Sequence, residues 1–289
     1  MFSFWRVGLN QAVLLLALLG LAVGLLPAPP PQGSAFFPAL RSTFEDVVPE
    51  TLVPALPNLE KRRPLKVAIL ALAARTSRGE IASSEEKAKC IELISKLEAL
   101  NPIPCPATSE AVLGRWELIF CSTYLFRSSP LFMAGRAVCK TSDEAERFNY
   151  FCQLHRDALS FTQIGKVSQI VTATTLTSEF EARGNPLIGL PGPTVSGTIQ
   201  SSADITLRSD NEWELFMDKI RIKKNTSNVP LLQSFLDDFE GIPTRRLSSM
   251  LESAVSLSAP RPRFYTTYLD THMRISRDQD DNCFVYNRA

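Results

Sequence analysis

The sequence predicts a mainly β protein: an antiparallel sandwich or closed barrel of about eight strands, preceded by two helices and interrupted by helical sequence before the last strands. Three observations carry that prediction. From residue 113 onward apolar and polar residues alternate, as in Trp116, Leu118 and Phe120 against Arg115 and Glu117. Turn signals separate the runs: Gly165-Lys166, Gly184-Asn185-Pro186, Pro191-Gly192-Pro193 and Ser209-Asp210-Asn211. No helical pattern alternates with the strands, which argues against a parallel sheet.

The chain opens with a leader. Residues 1–35 carry one charge, Arg6, then an apolar core over 12–26, a break at Pro27, Pro29, Pro30 and Pro31, and small residues Gly33 and Ala35 before Phe36. This is the layout of a secretory signal peptide, with a retained anchor as the alternative, since 7–26 nearly spans a bilayer. Residues 36–64 combine Ser42, Thr43, several prolines and Lys61-Arg62-Arg63 with the acidic Glu45, Asp46, Glu50 and Glu60. They read as a transit peptide or a flexible linker.

A folded domain is expected over 65–289, with helices within 65–100 and the β region over 113–289. Residues 65–74 are apolar and helix-favouring, and Thr76-Ser77-Arg78-Gly79 ends that run. Ser83 or Ser84 caps a second helix, Glu86 completing a capping box with Ser83. Ala88, Ile91, Leu93, Ile94, Leu97 and Leu100 give it one apolar face, and Asn101-Pro102 stops it. Strands are expected at 113–120, 147–154, 158–164, 167–182, 194–207, 212–223, 264–270 and 283–287. Between them, 230–256 carries two helical stripes: Leu231, Leu232, Phe235, Leu236 and Phe239, then Leu247, Met250, Leu251 and Ala254.

Composition narrows the function. Lys and Arg number 31 against 30 Asp and Glu, and Arg6 lies in the leader, so the remainder is neutral and lacks the basic footprint of a nucleic-acid binder. Beyond residue 26 nothing approaches the ~20 apolar residues of a spanning helix. The two histidines, His155 and His272, lie in no His-Glu-X-X-His pattern, and no nucleophile elbow, phosphate loop or dinucleotide fingerprint appears. Asp143, Glu144 and Glu146 read as a solvated turn. The cysteines, at 90, 105, 121, 139, 152 and 283, form no Cys-X-X-Cys, so zinc is not expected. Cys121 reads as a buried free thiol, Cys139 and Cys152 as a candidate redox pair, and Asn225-Thr226-Ser227 as a glycosylation sequon. No catalytic residue, metal or cofactor is expected.

Four motifs in order resemble the plastid lipid-associated protein family, also called fibrillins. They are Arg75-Thr76-Ser77-Arg78-Gly79-Glu80-Ile81-Ala82-Ser83, then Leu97-Glu98-Ala99-Leu100-Asn101-Pro102-Ile103-Pro104, then Leu113-Gly114-Arg115-Trp116-Glu117-Leu118. The fourth is Thr266-Thr267-Tyr268-Leu269-Asp270 followed by Arg274-Ile275-Ser276-Arg277. The resemblance implies a lipocalin-like barrel that associates with plastoglobules or thylakoids and binds apolar plastid compounds without catalysis: a carotenoid, prenylquinone, fatty acyl lipid or chlorophyll derivative. Gly33-Ser34-Ala35-Phe36-Phe37-Pro38 likewise resembles the Ala-Phe cleavage motif of proteins imported into red-lineage complex plastids. It implies a signal peptide followed by a transit peptide.

In a barrel of about eight strands, alternate residues line an interior wide enough for side chains or one small ligand. The candidate lining is Trp116, Leu118, Phe120, Phe148, Tyr150 and Trp213, each of which ordinary core packing would also explain. A tail of about 16 methylenes at about 0.8 kcal/mol each offers roughly 13 kcal/mol gross, against about 4–15 kcal/mol of association cost. Gly-X-Trp on the first strand of lipocalin-like barrels closes the floor, so Trp116 is expected there. Arg274 or Arg277 would pack across it by cation–π contact. Asp270 would orient one of these arginines or cap a turn. The 231–239 stripe suits packing across the barrel mouth better than lying on a membrane, because its charges are Asp237, Asp238 and Glu240. The alternative function is an interaction protein with a self-filled barrel that docks on a thylakoid complex or prenylquinone-biosynthesis enzyme. A barrel enzyme acting on an apolar substrate is a third reading.

Overall fold

In the computed structural model of the chain, residues 58–159, 162–184, 195–223 and 260–289 are described. The expected leader, the sequon and the helical stripes at 230–256 lie outside them. Eight antiparallel strands form a closed barrel in chain order: β1 (Gly114–Cys121), β2 (Thr162–Val171), β3 (Thr175–Gly184), β4 (Val195–Leu207), β5 (Glu212–Lys223), β6 (Arg263–Leu269), β7 (Met273–Asp278) and β8 (Cys283–Arg288). β8 returns to pair with β1, so the sheet has no free edge. Among the described residues four α-helices accompany it: α1 (Leu59–Arg75), α2 (Ser84–Glu98), α3 (Pro130–Ala137) and α4 (Ser142–Ala158). Among the described residues, no helix is long and apolar enough to cross a membrane.

Two apolar cores share the wall of the barrel. The first is its interior, where Trp116, Leu118, Val171, Leu176, Leu215, Phe264 and Phe284 meet. The second lies outside β1, β6, β7 and β8, where Ile69 and Leu72 of α1 and Ile94 and Leu97 of α2 pack on Tyr268, Ile275 and Val285. β7 and β8 are therefore buried on both faces, which erases the alternation that marks a one-sided strand. A fully buried Leu or Ile in this seam contributes roughly 1.5–3 kcal/mol, so the helices are integral to the fold.

The sequence-based elements need four corrections. The expected strand at 147–154 is the middle of α4: Thr141 and Glu144 form a capping box, and Phe148, Phe151, Cys152 and His155 follow at helical spacing. The strand β7 was not expected, because Arg274 and Arg277 put charge on both of its faces. Gly165-Lys166 marks a register shift within β2, and the chain reverses at 172–174 instead. That turn holds no Gly, Pro, Asn or Asp; the Thr172 hydroxyl closes it by accepting from the Thr174 and Thr175 amides. Lastly, α1 begins at Leu59, so the boundary expected after residue 64 falls inside a helix whose Arg62 is fully buried.

The turn between the first two helices is locked to the barrel. Ser77 and Arg78 have positive φ, and Gly79 continues the turn at φ 93°. A Cβ on Gly79 would come within 2.3 Å of the Cys121 carbonyl oxygen, so only glycine admits this close approach. The Cys121 amide donates to the Arg78 carbonyl at 3.0 Å.

Candidate functional site

The barrel interior is the candidate site, and it has three levels. The first holds Trp116, fully buried, whose indole N–H donates to the Val112 carbonyl at 2.7 Å. Trp213 donates likewise to the Ala107 carbonyl at 3.0 Å. Both indoles are thus pinned to the segment entering β1, and only their ring faces remain for packing. The Arg288 guanidinium carbon stands 4.2 Å from the Trp116 ring centroid and that of Arg274 5.4 Å. Gly114, at φ 116°, leaves the room: a Cβ there would meet Arg288 Nη1 at 3.1 Å.

The second is a polar belt. Gln169 faces Trp116 across β1–β2 and Ser178 across β2–β3, and Ser178 faces Ser201 across β3–β4. Arg274 pairs with Tyr286 across β7–β8, its guanidinium 4.3 Å from the Tyr286 ring centroid. Arg274 Nη2 donates to Gln169 Oε1, and Gln169 Nε2 donates to the Ser128 carbonyl at 2.8 Å. Burial pushes Arg274 down to about 10, with the Arg288 charge adding to the shift, so it remains a cation at neutral pH. Burial also carries Tyr286 far above the usual phenol range.

The third level is a plug made by the chain itself. After β1 a short 3-10 turn (Leu125–Ser128) leads into α3, which packs against β3, β4 and β5. Leu125, Phe126, Phe132 and Met133 join the interior core. The Phe126 and Phe132 rings lie 4.5 Å apart, and His155 of α4 packs on them at 4.6 and 5.2 Å. Burial pushes His155 down to about 4, so it is neutral at physiological pH. Arg127 ties the plug to the wall through Asp278 at 3.1 Å and Asp280 at 2.8 Å.

A PAP_fibrillin family model matches residues 63–287 of the chain. The chain belongs to the PAP_fibrillin family. This member is 24% identical over 254 residues to the probable plastid-lipid-associated protein 2 of Arabidopsis thaliana, covering 80% of this chain and 72% of that one. It is 29% identical over 217 residues to the chromoplast-specific carotenoid-associated protein C1 of an Oncidium hybrid, covering 73% and 64%. A light-induced chloroplastic protein of Solanum tuberosum is 26% identical over 233 residues, covering 73% and 62%. The chain therefore spans less than two thirds of the orchid and potato proteins. No solved structure matches it.

The structure divides the residues singled out in this family member. Trp116, Leu118 and Trp213 face the interior together. Phe120 does not: the register shift between Leu118 and Phe120 turns it outward into the helical seam. Phe148 and Tyr150 lie on α4, not on a strand. Phe148 packs beneath Arg127, 5.2 Å from its guanidinium, and Tyr150 is exposed on an open cleft of about 750 Å³. Arg277 points away from Trp116 and grips Glu98 of α2 with two bonds, of 2.8 and 2.7 Å. Asp270 engages Lys66 and Arg62 of α1 rather than either expected arginine, and it caps its own turn through the His272 and Met273 amides, both at 2.9 Å. Sequence reasoning missed Arg288 and Gln169, which carry no motif. Arg288, the next-to-last residue, could have been found as a further cation after the closing motif.

Every cysteine is free. Burial pushes Cys90, Cys121, Cys152 and Cys283 up to about 12, far from thiolate. Among the described residues, no three His, Cys, Asp or Glu side chains group to hold a metal ion.

Proposed function

We propose that this chain is a non-catalytic plastid protein that holds an apolar compound in its barrel and rests on the surface of a thylakoid or plastoglobule. The observation that carries the reading is the closed barrel with an inward apolar wall that includes Trp116 and Trp213, in a family whose relatives are named for plastid lipid and carotenoid. Carotenoid, prenylquinone, fatty acyl lipid and chlorophyll derivative are the compound classes such a wall suits. The plug formed by Leu125–Ser128 and α3 would have to shift to admit one.

Peripheral attachment draws support from the outer face of α1. Leu59 and Val67 are each 58% exposed, Leu70 is 40% and the nearby Ile81 is 71%. Exposed Lys61 and Arg63 lie beside them, supplying the cations that the 231–239 stripe lacks.

The plug also favours a second reading, in which the barrel is self-filled and the protein acts by docking on a partner. One experiment separates them: native isolation from plastids followed by mass spectrometry of extracted lipid. A stoichiometric apolar compound is the expected result. Protein that elutes intact and lipid-free would end the first reading in favour of the second.

A further inference from the structure

Arg274 is a cation sealed inside the barrel, and no counter-ion faces it among the described residues. Its side chain is fully buried, and among the described residues no carboxylate lies within ion-pair distance of it. Among the described residues Nε and Nη1 have no hydrogen-bond acceptor and the Ser178 hydroxyl in the same polar belt has no partner, while the fully buried Tyr286 hydroxyl lies close to Ser128 and to Arg274 itself. The second guanidinium on Trp116, Arg288, donates to the Ala111, Leu113 and Thr271 carbonyls and is itself a cation, so it adds to the positive charge instead of compensating it. A buried charge left unpaired is among the most costly features a fold can carry. A water or a ketone oxygen would fill a hydrogen bond there but leave the charge uncompensated.

We infer that the barrel receives the carboxylate of an acidic amphiphile on Arg274 and the Tyr286 hydroxyl, its tail lying against Leu118, Val171, Leu176 and Leu215. This rests on the reading that the barrel holds an apolar compound, and it narrows the class to one with a single acidic head. A monoanion fits one uncompensated guanidinium, and charge-assisted bonds to it are the strong kind. Ser178 and Ser201, paired across β3 and β4, and Ala203 are small buried residues of this part of the wall.

The test uses the purified, delipidated full chain with cis-parinaric acid and its methyl ester as fluorescent probes. The acid should bind at least about tenfold more tightly than the ester. Arg274→Met should bring the two within about twofold without weakening the ester, and Tyr286→Phe should cut the preference about threefold. If Arg274→Met does not fold, the wild-type ratio and Tyr286→Phe decide the matter. Equal wild-type binding of acid and ester overturns the carboxylate site while leaving the barrel reading intact; binding of neither overturns both. Displacement of the acid by equimolar acetate assigns the charge to a free small anion and overturns the amphiphile.

Discussion

Asp270 joins the barrel to the first helix, and its environment shows how one carboxylate can hold two elements together. Burial alone would raise its pKa, but hydrogen bonds from Lys66 and Tyr268 outweigh that and keep it below the usual carboxylate range. Replacing it leaves Lys66 without this anion at a largely buried site, so Asp270→Ala should cost about 3–5 kcal/mol in urea denaturation. A loss under about 1 kcal/mol would show the pair to be solvated. His155 makes the opposite kind of residue-scale prediction. Its folded pKa of about 4 lies below the 6.5 of a free histidine, so the unfolded chain binds the proton more readily. Its contribution to stability is complete above pH 6.5 and falls as pH drops toward 4, by up to about 3 kcal/mol. His155→Phe keeps the ring packing with Phe126 and Phe132 and should flatten that part of the stability–pH curve. A slope unchanged by the substitution would assign the acid sensitivity to other groups.

At the scale of elements, the seam between the α1–α2 hairpin and the barrel holds most of the residues by which the family is recognised. Glu98 accepts from Arg277 and Thr267, Asn101 accepts from the Leu269 amide at 3.0 Å, and Gly79 lies against the Cys121 carbonyl. Local rules made the helices and the hairpin-linked strands legible: the Ser83–Glu86 capping box and the Ser209-Asp210-Asn211 turn stand where the sequence puts them. What escaped is what long-range packing decides. Phe148 and Tyr150 alternate over too few residues to tell a strand from a helix, and Phe120 follows a bulge that composition does not announce. Of the site, Trp116 was legible because Gly114 and the indole occur together, whereas Gln169 reads as any strand glutamine until β1 is laid beside it. The seam yields the element-scale prediction. Gly79→Ala combines a positive φ with a backbone clash, so it should destabilise the chain by more than about 1 kcal/mol and first expose α1 and α2 to hydrogen exchange. Uniform loss of protection across barrel and helices alike would show that the hairpin does not open separately.

At the scale of the whole molecule, the helices divide into two jobs. α3 packs against β3, β4 and β5 with α4 behind it, while α1 and α2 cover one side of the barrel and leave α1 with a second apolar face. Arg62, Ile69, Leu72 and Ala73 are turned inward, and Leu59, Arg63, Val67 and Leu70 recur at helical spacing on the side turned outward. A helix that is apolar on both sides is ordinarily covered on both, and water is a poor cover for the outer one. Basic Lys61 and Arg63 at its start make an anionic lipid surface the complementary cover. Each cation adds about 1 kcal/mol near such a surface, and inserting Val67 and Leu70 adds roughly another 1.5–3 kcal/mol apiece if they are fully buried. The protein should therefore float with phosphatidylcholine vesicles containing phosphatidylglycerol, less with phosphatidylcholine alone, and detach as salt rises. Val67→Glu with Leu70→Glu should cut partitioning about tenfold or more while leaving the melting temperature within a few degrees, because both side chains face solvent in the free protein. Flotation unaltered by the double substitution would remove α1 from the contact and move the search to another face of the barrel.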